Sequence, residues 1–379
     1  MAGVVLASML LAALFLAWLV ERIGLPAVVG QIGAGLLLGP AGCHFLSANT
    51  VTGHWAEIGV LLLMFLAGIE SDLDLLKKHL KASFSVALAG VVTPFTVFFV
   101  FGHLLGYGNE QALLWGVLFS ATSVSITAQI LTEYKQLKSE AGSTILGAAV
   151  IDDILAVLMW TVFEASFGVG DTKHLPLIWT VLGMIAYLVV LLGALSWALP
   201  RVLPLLAKVP QPGLLLTVVF ALILITAYFA EFVGLSGAIV AFLIGLIFSR
   251  LKGRESIEHG MTLVGNVVFI PIFFVNIGLK VSWDGQQQHL FLIVMLTVLA
   301  ILTKWFGPVF GARIVGMDKK PAHIVGVGMV SRGEMALVIA DLALAAHLLK
   351  HDIYAAMVLV ILLTTIFTPI VLKPMLKKN

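Results

Sequence analysis

Charge is scarce in this sequence. Of its 379 residues only 11% are Asp, Glu, Lys or Arg, against about 25% in an ordinary soluble domain. A water-soluble helical bundle of this composition could not stay dissolved, so that class is excluded. Cysteine is scarcer still: a lone Cys43 excludes an internal disulfide framework and any multi-cysteine metal site. No basic stretch precedes the first apolar run, so a cleaved signal peptide is not expected, and no low-complexity tract or soluble appendage breaks the pattern. What is present is apolar residue, 60% of the chain, with a mean hydropathy of +1.10. Runs of roughly 20 such residues recur from end to end, each long enough to cross a hydrocarbon core of about 30 Å. The composition specifies an all-α polytopic membrane protein surrounded by lipid; the plasma membrane is its expected location, and neither a nucleic-acid partner nor an enzymatic role is expected.

Gly, Pro and polar residues divide the apolar runs into thirteen predicted spans, numbered here 1 to 13: residues 3–23, 25–42, 54–70, 82–106, 111–134, 140–167, 176–205, 211–231, 235–250, 256–279, 288–313, 321–347 and 352–375. Basic residues orient them, because Lys and Arg translocate poorly and collect in cytoplasmic loops. With the N-terminus outside and the C-terminus inside, 17 basic residues fall on the cytoplasmic side and 3 (Lys173, Lys280 and Lys350) on the outer side. Lys304 and Arg332, the remaining two of 22, fall within spans.

A repeat underlies the spans. "ERIGLPAVVGQIGAGLLLGP" from Glu21 and "EFVGLSGAIVAFLIGLIFSR" from Glu231 share E-x-x-G-L, and the same offset of 210 residues aligns Gly35 with Gly245 and Gly68 with Gly278. That offset maps span 1 onto span 8 and span 6 onto span 13. Equivalents are seven spans apart, and an odd number reverses direction across the membrane. The expectation is two inverted six-helix units joined by span 7, the architecture of secondary transporters with a site near the midplane.

Such sites use discontinuous helices at corresponding places in the two halves. Span 5 reads "FSATSVSITAQ", with Ser120, Thr122, Ser123, Ser125 and Thr127 in mid-membrane; span 12 reads "GVGMVSRGEMAL", with Arg332, Gly333 and Glu334. Thr122 and Arg332 are 210 residues apart, so both interruptions coincide under the repeat. Two crossed, broken helices are expected there, with unwound backbone shielded by protein or a water-filled cavity. Hydroxyls bonding back to their own helix explain span 5 alone less well once span 12 is interrupted at the matching place.

Asp152 and Asp153 fall at the centre of span 6, where each charge costs about 2.5–3.5 kcal/mol on insertion scales. Neighbours on a helix point about 100° apart, so the two carboxylates can meet different partners. Lys304 is the lysine nearest mid-membrane, and one aspartate is expected to face it while the other faces the cavity of the broken helices. A carboxylate balanced between desolvation and a nearby ammonium can hold a proton or a small cation, but not both. That competition is the coupling rule of an antiporter. Hydroxyls and freed carbonyls at Thr122 and Ser123 supply further oxygen ligands, which suit a hard cation such as Na⁺ or Li⁺. Arg332 and Glu334 are expected to hold the span 12 break by pairing with one another or with freed backbone.

"LPAVVGQIGAGLLLGP", "AEIGVLLLMFLAGIESDL", "ATSVSITAQIL" and "GSTILGAAVIDDILAV" together resemble NapA-type bacterial sodium/proton antiporters of the cation/proton antiporter superfamily, with the NhaA-like fold. The resemblance covers nearly the whole chain. It implies a homodimer in which residues 1–81 and 211–287 form the dimerisation scaffold, 82–167 and 288–379 an ion-transport core that moves like an elevator, and 168–210 the linker helix. It also implies Asp153 as the Na⁺ ligand, Asp152 as the partner of Lys304, and electrogenic exchange of two H⁺ per Na⁺, with no cofactor beyond the transported ions. Potassium-efflux relatives usually carry Gln-Asp at the motif, where this sequence has Asp152-Asp153, and a nucleotide-binding C-terminal domain, which is not expected here.

A K⁺/H⁺ antiporter of the same fold is the nearest rival, followed by a cation channel. An intramembrane aspartyl protease needs its carboxylates on separate helices and fits poorly. The ten histidines lie near span ends and read as interfacial side chains, and "ESDLDLLKKHLK" after span 3 reads as an amphipathic interfacial helix.

Overall fold

The structure is a computed structural model that describes residues 2–22, 25–48, 50–167, 177–206, 209, 213–251, 253–281 and 289–377. Lys173, Lys208, Lys252 and Lys378 of the basic pattern lie outside the described residues, as do parts of the linker segment and the side chain of Glu334.

The regular secondary structure of the described residues is all helical, with no strand. In chain order the helices are α1 (Ala2–Arg22), α2 (Ala27–Leu38), α3 (Thr50–Glu70), α4 (Leu73–Lys78), α5 (Leu80–Leu104), α6 (Asn109–Ser120), α7 (Val124–Glu133), α8 (Glu140–Phe167), α9 (Leu177–Leu206), α10 (Leu214–Phe232), α11 (Gly237–Phe248), α12 (Arg254–Val264), α13 (Ile270–Leu279), α14 (Leu290–Ile314), α15 (Lys319–Gly328), α16 (Glu334–Ala345) and α17 (His351–Lys377). Ten helical stretches are long and apolar enough to cross a membrane, and Ala27–Leu38, Gly237–Phe248 and Met335–Leu344 are shorter apolar helices.

Local chemistry explains where these helices stop and start. Span 2 is shorter than expected because Gly39 and Pro40 turn the chain after Leu38. α4, the expected amphipathic piece, is only six residues long; the Asp72 carboxylate caps it by accepting from the Asp74 and Leu75 amides at 2.8 and 3.2 Å. Span 10 is α12 and α13 joined by a π-helical turn, Gly265–Phe269. Pro271, at the start of α13, has no N–H to donate and its ring crowds the preceding turn, which widens there. Spans 5 and 12 are each two helices with an extended break, over 121–123 and 330–333.

Helix bounds repeat at the 210-residue offset. α2 and α11 match at both ends, as do the starts of α5 and α14, of α6 and α15, and of α7 and α16. Packing follows the same relation. A Cβ on Gly35 of α2 would strike the Val275 carbonyl of α13, and one on Gly278 would strike the Ile32 carbonyl; Gly68 of α3 and Gly245 of α11 stand in the same relation to Phe242 and Phe65. Backbones approach this closely only where a side chain is missing. The pair Gly35–Gly278, shifted by the offset, becomes Gly245–Gly68. Gly59 likewise abuts Phe269, and Ser123 abuts Gly333, each pair being a residue and its own equivalent.

The helices pack in two groups. In one, α3 lies on α11 and α13, α2 on α1 and α13, and α10 on α11. In the other, α5 lies at the centre against α6, α8 and α14, and α14 carries α15 and α17. α7 touches α3 on one side and α8 and α17 on the other, while α9 reaches α8, α10 and α11.

Candidate functional site

The two breaks are tied to each other. The Ser123 amide donates to the Ser331 carbonyl at 2.9 Å, the Ser331 hydroxyl donates back to the Ser123 carbonyl at 2.5 Å, and Thr127 Oγ1 donates to the Gly328 carbonyl at 2.6 Å. Thr365 of α17 donates to the Arg332 carbonyl. Unwound backbone inside a membrane protein is tolerated when neighbouring helices and Ser/Thr side chains take up its polar groups, and all four contacts do so.

Arg332 is fully buried and lies among carbonyls. Its Nε and Nη2 both reach the Phe119 carbonyl, at 3.1 and 2.9 Å; Nη1 reaches Val330 and Nη2 also reaches Ala300 of α14, each at 3.2 Å. Backbone, one of the two partners expected for it, is found here; the side chain of Glu334, the other, lies outside the described residues. Phe119 is in the last turn of α6, where helix carbonyls carry partial negative charge, so a guanidinium there neutralises the half-helix end. Lysine could not present five donors in a fixed fork.

Asp152 and Asp153 occupy the middle of α8 and have different surroundings. Asp152 is sealed, with Lys304 Nζ donating to its Oδ1 at 3.2 Å and its Oδ2 lacking a protein partner. Gly90 of α5 lies beside this pair, where a Cβ would meet the Pro308 ring of α14 at 3.2 Å and Lys304 Nζ at 3.8 Å. Asp153 is half-buried and lines a cavity with Thr122 and Ser125 from the break and α7, Ala149 from α8, Met64 from α3 and Phe242 from α11. The cavity therefore lies on the seam between the two helix groups, and the N-terminal turn of α7 opens onto it. Thr122 Oγ1 and Ser123 Oγ are both buried without a protein hydrogen-bond partner. Thr122 faces the cavity, whereas Ser123 Oγ lies against Gly333. Ser125, one of the mid-span hydroxyls of span 5, joins Thr122 at the cavity because it lies in the first turn of α7 just after the break. Met64 and Phe242 carried no signal at all, being ordinary apolar residues in spans 3 and 9.

The donor set at Asp153 is one carboxylate with hydroxyl oxygens, which suits a hard monovalent cation. Among the described residues no group of three His, Cys, Asp or Glu side chains could hold a metal. An all-helical chain with a buried ion pair, two tied helix breaks and a carboxylate-lined cavity between two packing groups belongs to the class of membrane ion carriers. Its family is the transmembrane sodium/hydrogen exchangers, whose model matches residues 9–378; the chain is a multi-pass membrane protein of that family. It is 38% identical over 359 residues to a Na⁺/H⁺ antiporter of Enterococcus hirae, covering 94% of each chain. It is 36% identical to the Na⁺/H⁺-K⁺ antiporter GerN of Bacillus cereus over 94% of this chain and 90% of that one. Among solved structures it is similar to the sodium proton antiporter MjNhaP1 of Methanocaldococcus jannaschii, with a TM-score of 0.73 over 100% of this chain and 98% of that one. At 14% identity that likeness speaks for the fold.

Proposed function

We propose that the chain exchanges Na⁺ or Li⁺ for H⁺ across the plasma membrane by alternating access, as a NapA-type carrier with Asp153 as the shared carboxylate. The observation that carries this is the cavity in which Asp153 meets Thr122 and Ser125 beside two helix breaks. A cation bound there takes oxygens from all three, and a proton on Asp153 removes the charge that holds it. Asp152 stays with Lys304, and Arg332 offsets the half-helix dipoles.

Thirteen spans, outside N-terminus, inside C-terminus and inverted six-helix units complete the reading. Contact between residues and their own 210-shifted equivalents at Gly59 and Ser123 supports it, since self-equivalent contacts occur where a two-fold relation has its axis. The α3/α11 group would be the dimerisation scaffold of a homodimer, the α5/α14 group the moving core, and α9 the linker. A seam site suits an elevator, because sliding one group past the other exposes Asp153 to either side. Exchange of two H⁺ per Na⁺ moves net charge, so 100 mV would contribute about 2.3 kcal/mol per cycle.

The test is dye-reported proton movement in proteoliposomes on addition of Na⁺, Li⁺ or K⁺, with and without an imposed potential. Response to Na⁺ and Li⁺, accelerated by potential, is expected. The name of GerN, which includes K⁺, favours a K⁺ arm: response to K⁺ alone overturns the cation assignment, and a rate indifferent to potential overturns the stoichiometry.

A further inference from the structure

Between the last third of α9 and the end of α11 runs a groove of about 530 Å³. Its walls include Leu199, Pro200, Leu203, Leu246 and Ile247, and Arg250 lies at one end. Pro200 and Pro204 on α9 cannot donate to the preceding turns of their helix, while Leu199 and Leu203 are turned inward. Arg250 is half-exposed and holds Asp74 of α4 at 2.5 Å. The described residues of the framing segments 72–81 and 249–255 include five basic residues against three acidic ones, so the Arg250 end is positive even after that ion pair.

Depth in the bilayer is marked on α9 itself. Trp197 is exposed, Arg201 Nη1 donates to its carbonyl at 2.5 Å, and the guanidinium lies 4.7 Å from the Trp197 ring centroid. Exposed Trp beside an Arg folded along its own helix is the side-chain pattern of a membrane–water interface. The groove thus runs from headgroup level into hydrocarbon, with its cation at the polar end.

We propose that this groove is a binding site for an anionic phospholipid of the cytoplasmic leaflet, with acyl chain along Leu199, Leu203 and Leu246 and headgroup phosphate on Arg250. Basic pockets between spanning helices favour anionic headgroups. The proposal rests on the membrane orientation given above. Because α9 connects α8, which carries Asp152 and Asp153, to α10, a lipid wedged between α9 and α11 braces the linker and ties leaflet composition to the carrier.

The experiment follows thermal unfolding of the full-length protein in neutral detergent as phosphatidylglycerol is added, with phosphatidylcholine of the same chains and inorganic phosphate in parallel. Phosphatidylglycerol is expected to raise the midpoint, and the other two to do little. Arg250→Gln is expected to weaken the phosphatidylglycerol response about fivefold, the weight of one basic side chain at an anionic surface, and Leu203→Trp, which fills the groove, to abolish it. An equal response to phosphatidylcholine, or an unchanged response in Arg250→Gln, overturns the proposal. Nothing in this assay depends on transport, so its failure leaves the antiport reading standing, and absence of cation-dependent proton movement leaves a positive lipid result standing.

Discussion

Lys304 Nζ lies 3.2 Å from Asp152 Oδ1, with neither side chain reaching solvent. One position along α8, Asp153 opens onto the cavity instead. Adjacent carboxylates thus have unlike environments, and the proposed function gives them unlike roles.

Asp153→Asn removes the charge for which, under the proposed function, cation and proton compete. Exchange is expected to vanish in proteoliposomes while the variant keeps the wild-type elution profile and unfolding midpoint. In the wild type, lowering pH should raise the apparent KM for Na⁺ in step with proton concentration and leave the maximal rate nearly constant. Retained exchange in Asp153→Asn would remove the site.

Breaking the buried pair is expected to harm stability more than replacing it. Asp152→Asn strands the Lys304 ammonium, a loss of about 3–5 kcal/mol for an uncompensated buried charge. The double variant Asp152→Asn, Lys304→Met should recover much of that, because a buried pair exchanged for neutral groups is often tolerated. Thermal unfolding in detergent checks the order; a double variant less stable than Asp152→Asn would contradict it.

Close approach at Gly68 predicts a steric penalty that hydropathy does not reveal. A methyl there meets the Phe242 carbonyl of α11, and backbone cannot rotate away, so Gly68→Ala must part α3 from α11 at a cost of roughly 1–3 kcal/mol or more. On the same helix, Gly53 has open space where a Cβ would be, and Gly53→Ala should be neutral or stabilising by up to about 1 kcal/mol. Equal unfolding midpoints for the two variants would refute the packing argument.

Arg332→Met leaves the carbonyls of Phe119 and Val330, at the end of α6 and in the span 12 break, without this donor, at about 1–3 kcal/mol for each left unsatisfied. Arg332→Lys restores charge but not the fork. Stability and Na⁺-dependent flux should both fall in the order wild type, Arg332→Lys, Arg332→Met. Wild-type behaviour of Arg332→Met would show that water or other groups hold the breaks.

Much of this protein was legible in one dimension because a membrane makes local chemistry decisive. Backbone in hydrocarbon must satisfy itself, so apolar length alone dictates helix, and Ser, Thr, Arg and Asp at mid-span are conspicuous by their cost. The 210-residue offset was legible for a related reason: glycines at helix crossings cannot drift, and Gly35, Gly68, Gly245 and Gly278 hold their spacing because each faces a backbone. Other features depended on how the helices were assembled. Spacing could say that two aspartates diverge, but not which one meets Lys304, because that depends on how α8 and α14 pack on either side of α5. Nor could it choose backbone carbonyls as partners for Arg332, or bring Met64 and Phe242 to the cavity. Side-chain chemistry is written along the chain; the company each side chain keeps is a property of packing, where one small residue decides which helices touch.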